Sequence, residues 1–227
     1  MTNKIYYYLL FILTALLFSC KKNPAPEYHH EYFGMEEGRF VVYDVIEIIH
    51  DDDIQQHDTA IYQLKTIWAD IYIDNEGREA REFKRFVRPT ENDPWVLQDI
   101  WTGIIDGIRA ELVEENQRVV KLVFSPTQNK EWDVNAYNLN SEQNCFYRDI
   151  HGDTIIGNTT FDPTVVVEQE QSNNYIDSVH RYEMYAKNIG LIYKYERDLH
   201  YQSNSQSQLY LDMGTERYYR FVSAGIE

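Results

Sequence analysis

The sequence predicts an all-β protein: an antiparallel sheet forming a half-barrel, barrel or sandwich, behind an N-terminal signal and tether. Three observations lead there. No stretch keeps a 3.6-residue apolar period through three clean turns. Runs rich in Val, Ile, Tyr and Phe recur about every ten residues, divided by turn-forming Asn, Asp, Gly and Pro. Aromatics make up 15% of the chain, with 19 tyrosines among its 227 residues, and tyrosine suits a pleated, half-buried surface. Short strands at that spacing form barrels or sandwiches, and no repeat of 20–50 residues is present.

The elements follow in order. Residues 1–19 have the parts of a secretory signal: Lys4 as a thin positive region, an apolar run from Ile5 to Phe18, and Lys21-Lys22 closing it. The run, at ~14 residues, is short for a membrane span, which takes about 20. Residues 20–35, with Pro24 and Pro26, predict a tether, and residues 36–227 a single β-rich domain. Its first strand is expected over 38–50, broken by Asp51-Asp52-Asp53, and its second over 60–73. Asp74-Asn75-Glu76-Gly77 is a turn sequence, and 78–88 returns as a strand with basic side chains facing water. Residues 89–94 are a loop. Residues 95–107 fit a strand bent at Gly103 and Gly107 better than a short helix, because of their isoleucines. A hairpin follows over 108–124, ended by Pro126, then a loop-and-strand piece over 131–139.

Residues 146–156 carry an expected turn at Gly152-Asp153, and 164–170 are a clear strand. Residues 176–186 fit a strand or one to two helical turns. A tyrosine-rich strand is expected over 191–201, a polar loop over 203–207, and a final strand pair over 209–222 around Met213-Gly214.

The formal charge is -16, and removal of Lys4 with the signal makes the chain one unit more negative. Bulk charge of that sign excludes nucleic acid and anionic membrane surfaces as partners. It serves solubility.

Leu17-Phe18-Ser19-Cys20 closes the apolar run, and these four residues resemble the lipobox of bacterial lipoproteins: apolar, variable, small, Cys. The resemblance implies a thioether-linked diacylglycerol on Cys20, cleavage before it, and a third acyl chain on the new amine. More than one chain is what stable anchoring requires. On the residues alone, an uncleaved single-pass anchor is the alternative. With Cys20 committed to lipid, Cys145 has no disulfide partner. Its setting, Asn144-Cys145-Phe146-Tyr147, predicts a small buried residue rather than a reactive thiol.

Two further stretches carry a resemblance: Phe124-Ser125-Pro126 with Lys130 to Asn138, and Tyr182 to Lys194. With the lipobox, they look like a group of uncharacterised outer-membrane lipoproteins of Bacteroidota. The second stretch also resembles lipoprotein carriers with half-barrel folds. Neither resemblance brings catalytic residues. The implied place is the outer membrane, and Lys21-Lys22-Asn23 where surface-exported lipoproteins carry acidic residues favours its periplasmic face.

Chemistry-bearing motifs are sparse. There is no phosphate-binding glycine loop and no nucleophile elbow. His29-His30-Glu31, and His50-Asp51-Asp52-Asp53 with His57, hold metal-ligating residue types. The first lies in the expected tether, which would hold ligands poorly. The second lacks the glycine turn and ligand alternation of a calcium loop. No metal and no cofactor is therefore expected. Acidic pairs are too numerous to point to glycoside hydrolysis. Trp95, Trp101 and Trp132 with Tyr137 fit either packing or a sugar platform, and Trp68 fits the core.

Trp132, Asp133, Asn135, Tyr137 and Asn138 form the most unusual local sequence. It reads as a structured connection pinned by Trp132 or as a polar recognition loop. The expected function is a non-enzymatic membrane-anchored envelope module. The membrane would be held through acyl chains on Cys20, and the partner would be an apolar ligand or an envelope protein. A glycan-binding or glycan-processing module is the alternative.

Overall fold

A computed structural model describes residues 27–51 and 56–227. Leu17, Phe18, Ser19 and Cys20 lie outside the described residues, as do Asp52 and Asp53. Among the described residues, twelve strands form one antiparallel sheet in the order β6-β5-β4-β3-β2-β1-β12-β11-β10-β9-β8-β7. The first six are β1 (Arg39–Asp51), β2 (Gln56–Ile73), β3 (Glu79–Arg88), β4 (Val96–Asp106), β5 (Arg109–Glu114) and β6 (Gln117–Val123). The other six are β7 (Glu131–Asp133), β8 (Asn144–Ile156), β9 (Thr159–Asn173), β10 (Asp177–Ala186), β11 (Gly190–Ser203) and β12 (Leu209–Ile226).

Every neighbour in each half is joined by a hairpin or short connection. One long-range pairing, β1 on β12, joins the halves at the centre. The predicted all-β class holds, and the sheet curls into a nearly closed barrel.

The two outer strands of the order, β6 and β7, meet at a seam. Val120 N–H donates to Val134 O at 2.9 Å, just past the end of β7. Trp132 Nε1–H donates to Val120 O at 3.0 Å. The Tyr147 hydroxyl donates to Val123 O (3.1 Å) and accepts from Val123 N–H (3.2 Å). An edge strand's open backbone groups are thereby satisfied without a full ladder.

Three expectations, two about turns and one about the tether, are corrected first. Gly152-Asp153 does not turn the chain. β8 runs through it with irregular register on both sides, and the turn falls after Ile156. Met213-Gly214 does not divide a strand pair either. β12 runs unbroken from Leu209 to Ile226 because β1 and β11 ladder it on both flanks. Gly214 has φ 153°, and a Cβ there would stand 2.3 Å from Asp198 O, so the glycine serves a close strand approach.

The third correction concerns the tether. Over its described part, residues 27–35 pack on the body. His30–Tyr32 form a 3-10 turn, and Tyr32 and Phe33 are buried in the main core beside Trp68, Phe124 and Tyr147. Burying a large apolar side chain contributes roughly 1.5–3 kcal/mol, so this segment is held by the core.

Residues 95–107 and 176–186 resolve as strands (β4 and β10), not helices. The bend expected at Gly103 is not found: β4 keeps continuous register there with both β3 and β5, and the glycine serves packing instead. The Trp68 ring lies 2.2 Å from where a Cβ would be, so only glycine admits the indole this close to β4. Trp68 is buried as expected.

Candidate functional site

Alternation along the strands decides which side chains enter the barrel. On β1, β12 and β11 the inward set includes Tyr43, Val45, Tyr219 and Lys194; Tyr43, Val45 and Tyr219 share one apolar cluster. Across the interior, an aromatic wall runs from Phe33 to Trp68 (ring centroids 5.2 Å apart), to Phe83 (4.3 Å) and on to Trp101 (6.3 Å). The Arg85 guanidinium caps it, 4.0 Å from the Trp101 ring centroid, in cation–π contact. Beside this wall is a cavity of about 80 Å³.

Its polar lining is a buried ion network. Lys121 on β6 places Nζ 2.7 Å from Glu183 Oε1 on β10, and Lys194 on β11 lies 4.0 Å from the same oxygen. Lys194 also pairs with Glu196 at 2.8 Å, and Lys121 with Glu114 at 3.6 Å. The Tyr185 hydroxyl donates to Glu183 Oε2. Burial alone would push the Glu183 carboxyl up, but Lys121 and Lys194 overcome it and hold it below its ordinary value. Burial likewise opposes the charge of Glu196, yet Lys194 and Arg217 draw it down to about 2. Lys194 is raised above its usual value, burial being outweighed by Glu196 and Glu183. Lys121 is likewise raised, its burial outweighed by Glu183 and Glu114, so all four groups are charged at neutral pH.

The chemistry open to this arrangement is limited. Each ionised group has an opposite partner, and burial pushes the Cys145 thiol far up, so it offers no thiolate. Cys145 is buried, as expected from its strand. The space is well below the roughly 300–1,000 Å³ of ligand pockets and has room for a handful of waters.

Sequence reasoning missed Lys121, Glu183 and Lys194, and it set the basic side chains of 78–88 in water, whereas Arg81 and Arg85 are buried. The local signal is a charge inside an apolar strand run, as in Arg118-Val119-Val120-Lys121-Leu122-Val123. The pairing itself joins residues 62 positions apart in the chain, which no local pattern encodes.

The residues singled out as a recognition loop come together as a closed connection. The Asp133 carboxylate accepts the backbone N–H groups of Asn135 and Gln143, both at 2.9 Å. Asn138 Nδ2–H donates to Arg118 O and to Asn135 Oδ1. Trp132 is buried at the seam. Tyr137 is 41% exposed, with its ring between the guanidiniums of Arg109 (4.6 Å) and Arg118 (4.7 Å). Those arginines gather on the fully buried Glu111, Arg118 at 2.7 Å and Arg109 at 3.3 Å. The loop is therefore clamped over β5 and β6.

Trp95 and Trp101 lie apart from it under separate cations, Arg88 and Arg85. His50 and His57 face each other across β1 and β2, ring centroids 5.6 Å apart.

The opposite face of the long strands carries a directly paired row. Ile61 on β2 pairs with Ile46 on β1, Ile46 with Tyr218 on β12, Tyr218 with Tyr195 on β11, and Tyr195 with Tyr182 on β10. Ile61 is 68% exposed and Ile46 37%. The rings are tilted rather than coplanar, at 47° for Tyr195–Tyr218 and 54° for Tyr182–Tyr195.

No family model matches the sequence, and no curated relative matches it. Among solved structures, the chain is similar to a protein described as a "putative lipoprotein" from Parabacteroides distasonis. That match has a TM-score of 0.39 and 10% identity, over 86% of this chain and 98% of that one. Among the described residues, no helix is long and apolar enough to cross a membrane.

Proposed function

We propose that this chain is an envelope lipoprotein, held at the outer membrane by acyl groups on Cys20. In this reading it acts without catalysis, by presenting its outer surface to an envelope protein. The carrying observation is the outward row Ile61, Ile46, Tyr218, Tyr195 and Tyr182, which crosses five adjacent strands. Ile61 and Ile46 are exposed and the three tyrosines half-buried, and a contiguous apolar and aromatic row that reaches the surface in this way marks an interaction surface. The interior supports the same reading from the other side. A cavity of about 80 Å³ walled by a paired ion network leaves no room for an acyl chain, so the half-barrel carrier function is not favoured. Tilted rings along the row do not make the flat platform that a glycan module uses.

The test has two arms. Cells fed an alkyne fatty acid should label the wild-type protein and leave Cys20→Ala unlabelled and released from the membrane fraction. Retained labelling of Cys20→Ala would remove the anchor. Native mass spectrometry of the Cys20→Ser protein beginning at residue 20 should give the unliganded mass. A co-purified lipid that organic solvent strips away would restore the carrier reading.

A further inference from the structure

The segment that leads into the barrel carries a second constellation, independent of the outer row. His29 precedes the 3-10 turn in a left-handed conformation (φ 60°, ψ 41°). Its Nδ1 lies 3.4 Å from Glu27 Oε1 and 3.4 Å from Glu31 Oε1. One ligand atom from each of the three residues falls within a 4.8 Å set. In a tetrahedral site with nitrogen and oxygen ligands at about 2.0–2.2 Å, neighbouring ligand atoms stand roughly 3.3–3.6 Å apart. Two edges of such a tetrahedron are already at length. Glu27, with a side chain 71% exposed, is free to close the third.

A candidate fourth donor stands outside that set of three, on another element. The ring of His151 on β8 stands 5.0 Å from the ring of His29, also from a left-handed backbone (φ 54°). Its Nδ1 pairs with the Tyr32 hydroxyl at 2.8 Å. With Nδ1–H donating to that hydroxyl oxygen, the Nε2 lone pair is left for a metal. His30 is engaged elsewhere: its Nε2–H donates to Gly107 O at 2.9 Å, and its ring packs on Phe124 and Tyr28, with centroids 4.5 and 5.4 Å away.

The place already attracts a cation. Lys187 Nζ sits 2.7 Å from Glu31 Oε1 and 3.8 Å from Glu27 Oε1. A divalent ion would displace this ammonium and add the histidine nitrogens, which lysine cannot use.

We infer that Glu27, His29 and Glu31, with His151, form a binding site for a borderline-soft divalent metal of the zinc class. Mixed imidazole and carboxylate donors select such ions over calcium or magnesium, which require oxygen sets.

The test uses the chain from residue 20 with Cys20→Ser, titrated with Co²⁺ for its tetrahedral visible bands and with Zn²⁺ by calorimetry. One ion per chain is expected, with tetrahedral cobalt absorbance. His29→Asn, which retains a residue tolerant of left-handed backbone, and Glu31→Gln should each weaken binding by about tenfold or more. Lys187→Ala should tighten it, and His30→Ala should leave it unchanged. Circular dichroism confirms that each variant is folded. Absence of stoichiometric binding, or binding that His29→Asn leaves intact, would overturn the site. Octahedral cobalt bands with binding unaffected by His151→Ala would remove the fourth ligand and the tetrahedral assignment.

Discussion

Glu183 shows how single residues set this interior. It is 1% exposed, and two lysines and a tyrosine hydroxyl converge on its carboxylate. Removing one member of a buried ion pair is far costlier than the net worth of the pair, because the other charge stays buried. Glu183→Ala should therefore cost roughly 3–5 kcal/mol in chemical denaturation. A Glu183→Ala, Lys121→Met double variant should recover part of that loss, and no recovery would mean the pair is not coupled.

The pH dependence follows from the same groups. Glu183 and Glu196 are depressed in the folded state. Their stabilisation is complete above the unfolded carboxylate range and is lost as pH falls toward the Glu196 value of about 2. Thermal midpoints should hold steady above about pH 5 and drop between about pH 4.5 and 2, with a shallower drop in Glu196→Gln. A drop of equal steepness in that variant would assign the acid limb to other carboxylates. None of this was legible in the sequence. Lys121 reads locally as one charge on a strand, and its partner is set by the curl of the whole sheet.

At the scale of elements, the strands themselves were largely legible. Val, Ile and Tyr at alternate positions with Asn, Asp and Gly between them placed β1, β3, β5, β6 and β11 within a few residues. What failed was punctuation. Gly152-Asp153 and Met213-Gly214 carry turn residues but sit inside β8 and β12, where flanking ladders keep the chain extended. Local turn preference is worth less than a row of cross-strand pairs.

The seam is the opposite case, an element contact with few bonds. β1 and β12 share a register of thirteen β1 residues, from Arg39 to Asp51, whereas β6 meets β7 through Val120–Val134 and a few side-chain bonds. Amides of β7 and the 134–143 loop should exchange with solvent well before those of β1 and β12 in native-state hydrogen exchange. Tyr147→Phe, which strips both bonds to Val123 from a buried site, should cost about 1–3 kcal/mol. It should also speed exchange selectively at the seam. Uniform acceleration over all strands would mean the seam is not a separate opening unit.

At the scale of the molecule, the segment before β1 belongs to the fold. Tyr32 is fully buried and Phe33 nearly so, and Asn188 N–H donates to Glu31 O at 2.9 Å. Composition suggested a tether because Pro24 and Pro26 open the segment. The aromatic pair Tyr32-Phe33 was the overlooked sign, since two large rings rarely stay in water. Tyr32→Ala should cost roughly 3–5 kcal/mol, and a chain starting at residue 36 should be less stable by a similar amount in urea. An unchanged midpoint for the shortened chain would return the segment to the status of a linker.

The position of β1 has a mechanical consequence. It lies in the middle of the sheet, laddered by β12 on one side and β2 on the other. A pull transmitted along the chain from before residue 27 first meets the packed aromatic segment. Beyond it lies a central strand of 13 residues gripped on both flanks. Such a load has no edge strand to peel. It must shear two ladders together, and resistance to forced unfolding is set by that barrier rather than by equilibrium stability.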